Sequence, residues 1–145
     1  MENNVNLPRS MAVDLGQVRI GLALSDRSRI LATPWGTIQR RKADSETISE
    51  LLHIASENDV GEIVVGIPKS LSEQQTIAAK SAEEFIGKLK ESASVPVIGF
   101  DERFTSVLAS KKLRELGHDS RSLKSLVDAS AAAEILQEYL DQRAR

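Results

Sequence analysis

The stretch AVDLGQVRIGLALSD, residues 12–26, decides the fold. Met11, Val13 and Leu15 alternate with Ala12 and Asp14, which is the period of a strand and sets Asp14 on the face opposite that apolar set. After Gly16-Gln17 the period resumes, with Val18, Ile20, Leu22 and Leu24 against Arg19, Gly21, Ala23 and Ser25. Two strands around a tight turn form a hairpin. Asp14 sits just before that turn. An aspartate there can cap the turn through its own backbone. It can also project from a rigid strand end as a metal ligand.

Outward from the hairpin, a third strand is expected over about residues 30–38, interrupted near Pro34. RRKADSE, residues 40–46, is a polar loop with Asp44 or Ser45 as a helix N-cap. Ile48, Leu51, Leu52 and Ala55 have the i, i+3, i+4, i+7 spacing of an amphipathic helix. Glu62-Ile63-Val64-Val65-Gly66-Ile67 is nearly continuous in apolar residues and suits a central strand buried on both faces. Ser72-Glu73-Gln74-Gln75 is a capping box opening a helix to about Glu91, with Ala78, Ala82, Phe85, Ile86 and Leu89 inward. Residues 96–100 form a fifth strand. A helix is expected from about Thr105, with Ala109, Leu113 and Leu116 inward, ending at Gly117. A last helix covers about residues 123–142.

The opening connections are too short for crossovers, so the first three strands are antiparallel. The later strands need helical crossovers and are expected to be parallel. The fold class is therefore α/β: a mixed five-stranded sheet with helices on both faces. Residues 1–9 are expected to be a flexible tail and residues 10–145 one domain.

Composition narrows the function. Of 145 residues, 41% are hydrophobic but only 3% are aromatic, so the core must be aliphatic. The absence of cysteine excludes a disulfide scaffold, a thiolate zinc site and a cysteine nucleophile, and it fits a reducing cytoplasm. No apolar run approaches the roughly 20 residues a membrane helix needs. A net charge of −2 argues against coating nucleic acid by bulk electrostatics. Local basic clusters remain at Arg27 and Arg29, at Arg40, Arg41 and Lys42, and at Lys111, Lys112 and Arg114. Each of these is also what a solvated surface looks like.

Three acidic positions carry the chemical interest. Asp14 ends the first strand. Asp101-Glu102 follow the fifth strand directly. Asp128 lies in or begins the last helix, on the face of Ala131, Ala132 and Ile135. Those alanines would let the helix lie close to the sheet and point Asp128 at the strand ends. Each residue also has a plain structural role open to it: a turn cap, a loop cap or a helix N-cap. Two of them sit where strands give way to loops, the usual place of α/β active sites. Carboxylates crowded together need a cation, and oxygen ligands without His or Cys suit Mg²⁺ or Mn²⁺. Two such ions about 4 Å apart can cleave a phosphodiester. His53, His118 and Trp35 are read as structural.

With these residues the chain resembles the YqgF or RuvX family, whose members are described as Holliday junction resolvases and as pre-16S ribosomal RNA nucleases. The matching segments are AVDLGQVRIGLALSD, ATPWGTIQR, EIVVGIPKSL, VPVIGFDERFTS and LVDASAAAEILQEYL, in that order over residues 12–140. The resemblance implies an RNase H-like sheet of order 3-2-1-4-5 and a two-metal-ion nuclease. It implies Asp14, Glu102 and Asp128 as metal ligands, with Asp101 beside Glu102 as a further candidate catalytic group. It also implies phosphate or strand contacts at Arg19, Arg103 and Thr105. The segment KSLSEQQTIAAK departs from the pattern, because family members usually carry glycines after this point.

The expected activity is processing of the 5′ end of pre-16S rRNA. Cleavage of branched DNA is the alternative within enzymes. A non-catalytic nucleic-acid- or protein-binding module in ribosome assembly or transcription is the alternative outside them. An actin-like ATPase also carries Asp-x-Gly after its first strand, but it clamps nucleotide between two domains. The expected partner is nucleic acid, without a membrane, for a monomer or homodimer.

Overall fold

The computed structural model describes residues 6–68, 73–102 and 121–144. The elements are β1 (Arg9–Leu15), β2 (Arg19–Ser25), β3 (Ala32–Gln39), α1 (Asp44–Glu57), β4 (Val60–Ile67), α2 (Glu73–Ser92), β5 (Val97–Asp101) and α3 (Arg121–Arg143). They build one five-stranded sheet of order β3-β2-β1-β4-β5. β1 pairs antiparallel with β2, and β2 antiparallel with β3. β4 runs parallel to both β1 and β5. The expected fold class and strand order are both present.

Strand alternation divides the buried side chains between the two faces. Met11, Val13, Ile20, Leu22, Ile63 and Val65 face α1 and α2 in the larger core, with Leu51, Phe85 and Leu89 opposite them. Ala12, Ala23 and Val64 face α3, with Ala132, Ile135 and Leu136 opposite. On this face the β1 and β2 side chains are alanines, facing Ala132 of the helix, and this sets how near α3 comes to those strands. In α2, Ala79 rather than Ala78 is buried, a shift of one position on the same helical face.

Three expectations change. α1 begins at Asp44 with Ala43 in the N-cap position and no side-chain cap. The loop is closed instead by Thr47 Oγ1, which accepts a hydrogen bond from the Arg41 N–H at 2.9 Å. Trp35 is not core. β3 is the sheet edge, and its pairing steps from Gly36 opposite Leu22 to Pro34 opposite Ala23, so Trp35 is the extra residue of a bulge and is 43% exposed. Of the expected tail, residues 7–9 are tied to the body: Leu7 N–H donates to the Arg27 carbonyl and Arg9 N–H to the Asp59 carbonyl. The Ser72 capping box, the helix expected from Thr105 to Gly117, and His118 lie outside the described residues. Among the described residues, no helix is long and apolar enough to cross a membrane.

Candidate active site

Asp14 is the point from which the site is built. It lies on the α3 face of β1 and is only 5% exposed. Its partner across the antiparallel pair is Gly21 of β2. On its other side, β4 pairs with β1 through Val13 and Val65, and the next residue on that strand is Gly66. A glycine therefore flanks Asp14 on each side, on the face that α3 covers.

Both glycines are needed for close approach. A Cβ at position 21 would run into the backbone carbonyl of Asp128, so α3 rests on the β2 backbone there. A Cβ at position 66 would stand 2.5 Å from Glu102 Oε2 and 2.8 Å from Ile135 Cδ1. The space above Gly66 is thus taken by the Glu102 carboxylate and by α3. Glu102 is 1% exposed. The sheet has been pared back on either side of one aspartate, and a carboxylate-bearing residue approaches over each gap.

The adjacent Asp101 goes elsewhere. Phe100 packs in the α3-side core, and Val97 and Gly99 face α2, so alternation sends Asp101 to the α2 side. Glu102, one residue past the strand, returns to the α3 side. Asp128 lies seven residues inside α3, so it is no N-cap. Arg19, on the Gly21 face of β2, donates from Nε to Asp128 Oδ2 at 3.2 Å. Arg103 and Thr105 lie outside the described residues.

The turn beside the site is braced from outside. Arg40 donates from Nη1 to the Gly16 carbonyl at 3.0 Å, and its N–H donates to the Val18 carbonyl. The same guanidinium lies over the Phe85 ring, 5.6 Å from its centroid. Residues 16–18 are thereby fastened to α2. In the sequence Arg40 reads only as part of a basic cluster. The signal for Gly66 is a glycine inside an apolar strand, which marks close approach.

The structure brings Asp14, Glu102 and Asp128 to one face near the same strand ends. It does not bring them together as a closed ligand set: among the described residues, no three His, Cys, Asp or Glu side chains form a group that could hold a metal ion. The donor chemistry still fits a hard divalent cation, since all three offer carboxylate oxygens. The two flanking glycines leave room above Asp14 for such donors. Asp128 Oδ2 faces Arg19.

A sheet of this order with its long final helix on the Asp14 face is the RNase H-like fold. Thermus thermophilus RuvC, in its complex with a Holliday junction substrate, superposes with a TM-score of 0.57 over 94% of this chain and 96% of that one. The two sequences are 15% identical, so this likeness carries the fold alone. Family comes from sequence. Residues 8–142 match the RuvX model, described as Holliday junction resolvase. A Rhodococcus erythropolis protein named "Putative pre-16S rRNA nuclease" is 42% identical over 141 residues, covering 94% of this chain and 80% of the relative. One of the same name from Fusobacterium nucleatum is 42% identical over 139 residues, covering 94% and 99%. The chain belongs to the RuvX family, and its class is that of a nuclease.

Proposed function

We propose that this chain is a divalent-cation-dependent endo- or exonuclease that processes the 5′ end of pre-16S rRNA in the cytoplasm. The observation that carries the proposal is the row Gly21–Asp14–Gly66, over which Asp128 and Glu102 approach. Support for the RNA substrate comes from the names of relatives that align over nearly the whole chain.

In this proposal Asp14, Glu102 and Asp128 hold Mg²⁺ or Mn²⁺. A bound pair of such ions would supply an activated water and a stabilised leaving oxygen. The chain's own residues do the rest. Asp14 projects from a strand locked on both sides, so its carboxylate is held in place without the entropy cost of a loop. Burial of Glu102 excludes water from one side of the site. Arg19 is placed to meet a phosphate oxygen as a charge-assisted donor. Arg103 and Thr105 are assigned to the nucleic-acid backbone, where contacts position substrate without reading sequence.

The test is cleavage of a labelled pre-16S 5′-leader RNA and of a four-way DNA junction, with Mg²⁺, with Mn²⁺ and with EDTA. The expected result is metal-dependent cutting of the RNA, falling by about 10³-fold or more in Asp14→Asn, as when a principal catalytic group is removed. Cutting of the junction alone would favour the resolvase that the family description names. EDTA-resistant binding without cutting would favour a non-catalytic module.

A further inference from the structure

The Arg19–Asp128 pair has a consequence for how the site is loaded, and it rests on the cation-dependent reading above. Arg19 and Asp128 are 17% and 27% exposed in their side chains, so both reach the mouth of the site. α3 has other contacts that seat it on the sheet. Gly21 lies against its backbone, and Ala129, Ala132 and Ile135 are buried. At the far end, Arg143 is bound to Glu62. Yet the guanidinium stands on Oδ2, an oxygen that Asp128 would offer to a cation.

A cation ligated by that oxygen would sit at about 2.0–2.6 Å from it. It would then stand within about 6 Å of the guanidinium, where like charges in a half-buried site repel strongly. The two cannot both take Asp128 at full strength. We infer that Arg19 is a tethered competitor for the cation: it neutralises Asp128 in the cation-free protein and must leave when a divalent ion binds.

The experiment is titration of the full chain with Mn²⁺ alone, counting free Mn²⁺ by electron paramagnetic resonance, for wild type, Arg19→Gln and Arg19→Lys. Arg19→Gln should bind Mn²⁺ more tightly by about 5–20-fold, an ordinary size for coupling between sites. Arg19→Lys keeps a positive charge on the strand and should stay within about threefold of wild type. A purely structural role for Arg19 predicts the opposite sign, since a loosened α3 would weaken binding. Equal or weaker Mn²⁺ binding by Arg19→Gln, with wild type still binding, would overturn this inference alone. No Mn²⁺ binding by any of the three would overturn the cation reading and this inference together.

Discussion

α3 meets the sheet through a carboxylate and an arginine at two places, beside Asp14 and at its C-terminal end, and the two are built differently. At the Asp14 end, Asp128 pairs with Arg19 at 3.2 Å. At the other end, Glu62 of β4 is enclosed. It accepts a hydrogen bond from Ser10 Oγ, and Arg143 Nη1 contacts its two oxygens at 2.8 and 3.0 Å. Arg29 stands 3.5 Å away, and the Tyr139 hydroxyl 3.4 Å. Residues 128 and 143, at 1.5 Å rise each, place these ends about 22 Å apart along one helix. One end is a latch with its lone pairs occupied. The other sets an ion-paired carboxylate, 27% exposed in its side chain, on the Asp14 face. A rigid helix anchored at the latch can present Asp128 to the site with little reorganisation.

The largest expected effect comes from forcing the Asp14 end apart. Gly21→Ala places a methyl group against the Asp128 carbonyl, 3.1 Å from the Ala129 nitrogen. That contact is backbone on both sides, so no rotamer relieves it. The cost should be about 3 kcal/mol, the upper range for an overpacked core, read as a lower urea midpoint. Gly87→Ala is the control. Nothing lies within 4 Å of that Cβ in α2, so helix propensity alone should raise stability by up to about 1 kcal/mol. A neutral Gly21→Ala would mean that α3 does not rest on β2.

The next effect tests the latch. Glu62→Gln removes the charge and leaves a neutral amide facing Arg29 and Arg143, which can only donate. A loss of about 2 kcal/mol near neutral pH is expected. Burial pushes the Glu62 carboxyl upward, but the Ser10 hydrogen bond, then the Arg143 hydrogen bond and the charges of Arg29 and Arg143, outweigh it. The carboxyl is held below the ordinary glutamate value of 4.5. Because the folded value lies below the unfolded one, the stabilisation is fully present above pH 4.5 and is lost as pH falls through the folded value. Wild type and Glu62→Gln should therefore converge in acid. A gap in thermal midpoint that stays constant from pH 7 to pH 3 would show that Glu62 contributes by packing rather than charge.

The two ends were not equally legible in the sequence. The Asp14 end was, because strand alternation, a helical face of alanines and the family motifs all converge on Asp14, Glu102 and Asp128. The glycine at position 21 was visible as part of a motif, but its function, clearing the Asp128 backbone, needs the helix in place. The latch was not legible. Glu62 opens a run that reads as a buried strand, and nothing local says that Ser10, Arg29 and Arg143 converge on it from three separate elements. A charged residue in a strand otherwise buried on both faces was the signal available. The edge-strand bulge that exposes Trp35 escaped for a similar reason: Pro34 announced an interruption, but which side chain it turns outward depends on the partner strand. The opposite faces of Asp101 and Glu102 are not local properties either, because adjacent residues separate only once the end of β5 is fixed.

The smallest expected effect asks what kind of latch Arg143 makes. Its side chain is 54% exposed, so its ion pair with Glu62 is partly screened by water, even though Glu62 itself is buried. The guanidinium also lies over the Tyr139 ring, 5.7 Å from the centroid, and Nη1 meets the Tyr139 hydroxyl at 2.8 Å. Arg143→Lys keeps the positive charge but loses the planar group that joins carboxylate, hydroxyl and ring. If charge alone holds the helix end, the substitution should be silent. If the planar contact matters, it should cost about 0.5–1 kcal/mol, and the loss should persist at high salt, where a simple exposed ion pair would already be screened. Hydrogen exchange along α3 discriminates further: slower exchange is expected near Arg143 than near Asp128 in wild type, and Arg143→Lys should narrow that difference.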